Sequence, residues 1–142
     1  MKLSTKGRYG LRAMVDLAVH SETGPVSIQS IANRQDISVS YLEQLVGKMR
    51  RAGLVTSVRG AQGGYKLAKP AEKISVGDVL RALEGTLDAV DCPGNLEVST
   101  CKASQKCVTK YVWKKINESI SQAVDTIMIE QLVQESKKVN GL

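Results

Sequence analysis

Leu42, Leu45, Val46 and Met49 recur at i, i+3, i+4 and i+7, so residues 38–51 read as a helix with one apolar stripe. Its reverse side carries Ser40, Gln44, Gly47 and Arg51, which is polar, partly basic, and thin at Gly47. Ser38 supplies an N-cap hydroxyl, and Ile37 before it is placed to staple onto Leu42, so the start of this helix is well specified. An earlier helix is predicted over Thr5 to His20, where Tyr9, Ala13, Met14, Leu17 and Ala18 keep helical spacing until Gly24-Pro25 stops it. Between the two, Ser27 caps a short helix running to about Arg34, with Val26 stapling onto Ile31 and with Ile28, Ile31 and Ala32 turned inward. Gln35-Asp36-Ile37 then turns the chain into Ser38. Two capped helices joined by a short turn predict a helix-turn-helix whose second member reads a DNA major groove.

The pattern then changes period. Residues 54–59 have β-branched strand character, residues 60–64 (Gly-Ala-Gln-Gly-Gly) form a turn, and residues 65–68 form a second strand. A hairpin after a helix-turn-helix is a wing, and a slim glycine-rich tip with Arg59 at its base suits the narrow minor groove. A nucleotide-phosphate cradle is excluded by context, because neither a strand-loop-helix nor Gly-Lys-Ser/Thr follows. Ser75 caps a further helix, with Ile74 stapling onto Val79, Asp78 at its third position, Gly85 as its stop, and Val76, Val79, Leu80 and Leu83 buried. No periodicity marks residues 86–100. A last long helix is expected from Ala103 to Ile127 with two apolar seams, one through Val112 and Ile116, the other through Trp113, Ile120 and Val124. Two seams need two neighbours, and a second copy of the chain is the expected second one. After Glu130, one more packed turn around Leu132 and Val133 is expected before the end frays. The expected fold class is mainly α: a winged helix-turn-helix with a two-stranded wing plus a long C-terminal dimerisation helix. Its divisions are 1–85 for DNA binding, 86–102 for a cysteine-bearing loop, and 103–142 for the dimerisation helix and tail.

Charge sharpens this picture. Of 20 Lys and Arg, 11 precede residue 71, against 4 of 14 Asp and Glu, which leaves +7 on the first half and −1 on the rest. The excess accompanies the predicted reading helix and points to a polyanion, double-stranded DNA. No run approaches a membrane span and the N-terminus lacks the apolar core of a signal peptide, so no membrane partner and a cytoplasmic location are expected. Three cysteines in the spacing C-x8-C-x5-C, Cys92, Cys101 and Cys107, suggest thiolates available to a metal centre or to redox chemistry rather than a disulfide framework. Alone they do not complete a four-ligand zinc site. An enzyme is disfavoured, because a cysteine nucleophile needs a base and His20 is the single histidine.

The strings Leu3-Ser4-Thr5-Lys6-Gly7-Arg8-Tyr9, Ser40-Tyr41-Leu42-Glu43-Gln44-Leu45 and Val58-Arg59-Gly60-Ala61-Gln62-Gly63-Gly64-Tyr65, with the three cysteines and Trp113, resemble the Rrf2 family of bacterial winged-helix regulators, in particular its iron-sulfur branch. That resemblance covers nearly the whole chain. It implies a homodimer, a crossing helix, and a [2Fe-2S] cluster on Cys92, Cys101 and Cys107 plus one further ligand. It also implies DNA contacts from Ser38, Ser40, Tyr41, Glu43, Gln44 and Arg51, and from Arg59, Gly60, Gln62, Gly63 and Gly64 of the wing. Two departures stand out. The first cysteine gap is three residues longer than in the enterobacterial pattern C-x5-C-x5-C, and Lys110 occupies the place of the family's fourth ligand, a histidine three residues after the last cysteine; Arg8 occupies that of a first-helix carboxylate used by nitric-oxide-sensing relatives. The fourth ligand is left open among His20, an acidic side chain and an exogenous group. A thiol switch or sulfur-metabolite sensor on the same fold is the competing expectation, and a winged helix that binds protein is a third.

Overall fold

The computed structural model describes residues 3–90 and 106–141. The described elements are α1 (Thr5–His20), α2 (Ile28–Gln35), α3 (Val39–Arg51), β1 (Val55–Val58), β2 (Gly64–Leu67), a 3₁₀ turn (Ala71–Lys73), α4 (Val76–Glu84), α5 (Lys110–Asp125) and α6 (Ile129–Val139). The caps read from the sequence set the starts of three helices. Ser27 Oγ accepts from Ser30 N–H, Ser38 Oγ from Tyr41 N–H, and Ser75 Oγ from Asp78 N–H, while Asp78 Oδ2 accepts from Ser75 N–H to complete a capping box. Between α2 and α3 the chain turns on Asp36 at φ 54°, a left-handed conformation that aspartate tolerates better than most residues.

β1 and β2 pair antiparallel from Val55 opposite Leu67 to Val58 opposite Gly64. The hairpin is anchored from outside, since Val26 and Tyr65 exchange two backbone hydrogen bonds of 2.8 Å just before α2. One core joins all the layers. Met14 and Leu17 of α1, Ile31 of α2, Leu42, Leu45 and Met49 of α3, Val79 and Leu83 of α4, and Ile129 of α6 are all essentially inaccessible within a single cluster.

The C-terminal part departs from the expectation in two places. Lys106 to Thr109 are not helical, and α5 begins at Lys110 rather than near Ala103. Nothing apolar pins that earlier turn, where Val108 is 77% exposed, and the first turn of α5 closes from the Tyr111 N–H onto Val108 O, at 3.4 Å. Beyond α5, α6 is an eleven-residue helix rather than one packed turn. Gln131 Oε1 accepts the Met128 N–H, and Ile129 and Val133 insert into the core against α1. A short bridge welds this corner, with Val76 N–H donating to Ile127 O and Ile129 N–H to Ile74 O, both at 2.8 Å. No described helix is long and apolar enough to cross a membrane.

Candidate nucleic-acid interface and thiol centre

α3 turns its apolar stripe wholly inward and leaves Ser38, Ser40, Glu43, Gln44 and Arg51 exposed. Glu43 makes no hydrogen bond or ion pair with any described residue, so its carboxylate is available for readout. Gly47 is not an open notch, because a Cβ there would lie 3.5 Å from Arg51 Nη1, which shows that the guanidinium folds back along the stripe. Tyr41 is half-buried. Its hydroxyl lies 3.1 Å from Thr5 Oγ1 and its ring meets Tyr9 edge-on at 6.3 Å, so it ties α3 to the start of α1 while keeping its polar tip at the surface.

In the wing, Arg59 and Gln62 are exposed and the glycines have distinct duties. Gly60 sits at φ +113° and its carbonyl accepts the Gly63 N–H at 3.0 Å. A Cβ on Gly63 would fall 2.1 Å from Val58 O, and one on Gly64 would fall 2.4 Å from Val26 O. The tip is therefore narrow because the backbone folds on itself, and side-chain-free because there is no room for side chains.

Behind the reading surface lie contacts with no signature in local sequence. Asp16, buried in α1, receives Arg34 Nη2 at 2.7 Å, Arg34 Nε at 2.9 Å and Gln35 Nε2 at 2.9 Å, clamping α2 to α1. Hydrogen bonding to Asp16 raises the pKa of the Arg34 guanidinium, so the clamp keeps its charge. Glu84, ending α4, caps the start of α1 by accepting from the Ser4 hydroxyl, the Ser4 N–H and the Gly7 N–H. The Ser4 hydroxyl bond above all holds its carboxyl below the ordinary carboxylate range. Arg81 of α4 grips Asp125 of α5 through two hydrogen bonds of 2.6 and 3.1 Å. The internal glycines of the first and fourth helices, Gly7, Gly10 and Gly77, were the available signal that these helices pack at close range.

Cys107 is the one predicted metal ligand among the described residues, and Cys92 and Cys101 lie outside them. Its sulfur is 3.1 Å from the Thr109 hydroxyl at the N-terminus of α5. That hydroxyl, then the Lys110 backbone amide, lowers the thiol pKa, so the thiolate is favoured where the helix dipole also favours an anion. No group of three or more metal-binding side chains gathers among the described residues. His20 Nδ1 engages the Asp16 carbonyl at 2.9 Å, within its own helix. Arg8 faces an open cavity of about 750 Å³ lined by α1, α2 and α6.

A helix-turn-helix with a hairpin wing, an outward polar stripe and a basic reading half defines a DNA-binding transcription regulator. The chain belongs to the Rrf2 family, whose profile, described as an iron-dependent transcriptional regulator, matches residues 3–135. It is 44% identical to the regulator IscR of Klebsiella pneumoniae over 143 aligned residues, covering 99% of this chain and 86% of that protein. Among solved structures, T. potens IscR is 45% identical with a TM-score of 0.77, covering 98% of this chain and 90% of that one. CymR, the global cysteine regulator of B. subtilis, is 38% identical with a TM-score of 0.77, covering 95% and 98%. The chain is accordingly a homodimeric, DNA-binding regulator of the IscR-like kind.

Proposed function

We propose that this regulator holds a [2Fe-2S] cluster on Cys92, Cys101 and Cys107 and that cluster occupancy alters which operators it binds, with iron-sulfur biogenesis genes as the targets. The observation that carries the reading is the placement of Cys107. Its thiolate is stabilised by the Thr109 hydroxyl and the first amides of α5, the helix whose far end is ion-paired to α4. Three soft thiolates fit such a group, and N–H and O–H donors to sulfur are the contacts that tune its potential. When bound, the cluster supplies a labile, redox-active centre. Thr109 and Lys110 orient the Cys107 sulfur, and α5 carries the position of that sulfur toward Asp125 and Arg81.

In the same reading Ser38, Ser40, Glu43 and Gln44 meet base edges, with Tyr41 and Arg51 at the flanks, and Arg59 enters the minor groove supported by Gly60, Gln62, Gly63 and Gly64. α5 has no buried residue, and Tyr111 (59% exposed) and Val112 (49%) lie open on it, so it is the surface on which the second copy packs. Protein isolated without oxygen is expected to be coloured and to contain iron and acid-labile sulfide, and Cys107→Ala to lose both. Stoichiometric zinc in the anaerobic protein would sink this proposal.

A second reading keeps the DNA binding and makes the cysteines a thiol switch or sulfur-metabolite sensor. It is favoured by the half-buried, thiolate-prone Cys107 and by the likeness to CymR. Thiol counts before and after mild peroxide on metal-free protein separate the two, since the switch alone predicts loss of two thiols per chain.

A further inference from the structure

Lys6, Lys48 and Arg51 line an open groove of about 550 Å³ formed by the start of α1, the end of α3 and the end of α4. None of the three forms an ion pair with a described residue. The other charges lining the groove are already occupied. Glu84 is held by Ser4 and Gly7, and Arg81 by Asp125. Lys48 Nζ reaches only the Leu83 carbonyl, at 3.5 Å. The groove thus presents three cations from two helices against one carboxylate, that of Glu84, a net positive edge, and Arg51 belongs at once to it and to the exposed stripe of α3.

Resting on the DNA-reading assignment of that stripe, we propose that the groove carries the sugar-phosphate backbone of one strand of the bound duplex, with Lys6, Lys48 and Arg51 on its phosphates. The contacts fix register without reading sequence, as phosphate contacts do. A small anionic effector fits less well, because the groove is open and charged where a small-ligand site is enclosed and largely apolar. Glu84 leaves this edge net positive: its carboxylate is turned onto Ser4 and the backbone amides of α1 and forms no ion pair with the lysines, so its single negative charge, felt by Lys6, offsets only part of theirs. The edge lies at the α1 side of α3, and Arg59 of the wing is not among the residues that line it.

The test uses the full-length dimer, a promoter duplex that it selects from random sequence, and a scrambled duplex of equal length. Affinities are measured across a series from about 50 to 200 mM salt. Lys6→Gln alters an exposed side chain, and Lys48→Met keeps the aliphatic stem of a half-buried one, so both variants are expected to fold. Each is expected to flatten the slope of log affinity against log salt by about 0.9 per protomer and to weaken the two duplexes equally. An unchanged slope in both variants overturns the proposal, and so does a changed ratio between promoter and scrambled duplex. Inorganic phosphate that displaces the duplex from wild type at constant ionic strength, but not from the variants, would mark a site for a free anion and also overturn it. If the wild-type protein itself bound duplex without salt dependence, the DNA-reading assignment would fall first, and the two failures are therefore distinguishable.

Discussion

The carboxylate of Asp125 lies over Gly77: a Cβ added to that glycine would stand 1.9 Å from Asp125 Oδ1. The missing side chain is what lets α5 close on α4, so that Arg81 and Asp125 meet in a two-bond fork at the junction of the reading head with the C-terminal helices.

Gly77→Ala is expected to expel Asp125 and break the fork. Both partners are partly exposed, 39% and 44%, so the pair contributes at most about 1 kcal/mol, and alanine restores up to about 1 kcal/mol of helix propensity. Little net change in melting temperature follows. The informative quantity is the cycle with Asp125→Ala, which removes both the ion pair and the atoms that a Cβ at residue 77 would strike. The double variant should be no less stable than Asp125→Ala with the alanine gain at residue 77 added, and strictly independent losses would contradict the contact.

Acid is expected to loosen the start of α1 through Glu84. Its folded pKa is depressed below the ordinary 4.5, so its contribution is fully present above that value and is lost as pH falls through the lower folded one. Urea unfolding of wild type and Glu84→Gln should therefore differ by a constant amount near neutrality and converge below pH about 4.5. A difference that instead widens under acid would reverse the assigned sign.

The reading head was legible in the sequence because its determinants are local. Ser27, Ser38 and Ser75 announce helix starts by identity, the stripe through Leu42 and Met49 announces a buried face by spacing, and the glycines between Arg59 and Tyr65 announce a turn. What was hidden depends on partners far along the chain. Glu84 meets Ser4 and Gly7, and Asp125 meets Gly77 and Arg81, with no periodic trace of either pairing. The start of α5 differs from the periodic pattern for a related reason: the pattern extends upstream of Lys110, but Val108, 77% exposed, finds no neighbour among the described residues against which that turn could pack. α6 was underestimated because Leu132 and Val133 alone promise one turn, while its anchorage comes from Ile129, bonded to Ile74 across the fold.

Gly10→Ala should be distinctly worse than its helical position suggests. Its Cβ would fall 2.2 Å from Leu83 Cδ1 and 2.9 Å from Cδ2, and Leu83 is buried with no free direction in which to move. Overpacking of about 1–3 kcal/mol opposes a propensity gain of up to about 1 kcal/mol, so destabilisation by about 1–2 kcal/mol is expected. For a chain of this size that is a fall of roughly 4–8 °C in melting temperature, readable by calorimetry. A variant as stable as wild type would mean that α1 and α4 do not approach as closely as described.

Glu43→Ala is expected to broaden operator choice more than it changes affinity. The carboxylate is exposed on the reading stripe with no described partner. As a pure acceptor it favours a cytosine amino group and is repelled by guanine acceptors and phosphates. Removing it abolishes one attraction and several penalties together, so the preferred operator loses while formerly rejected ones gain. A change of about 1–3 kcal/mol in discrimination at the base pair facing Glu43 is anticipated, roughly 5- to 150-fold in relative affinity. Selection of bound sequences from a random pool by wild type and variant measures this directly. Identical selected motifs would remove Glu43 from the reading surface, whereas equal weakening on every duplex would assign it to folding instead. Comparing Glu43→Gln settles the chemistry: the amide keeps the length and one acceptor but adds a donor, so it should shift preference toward adenine, the base whose edge pairs an acceptor with a donor.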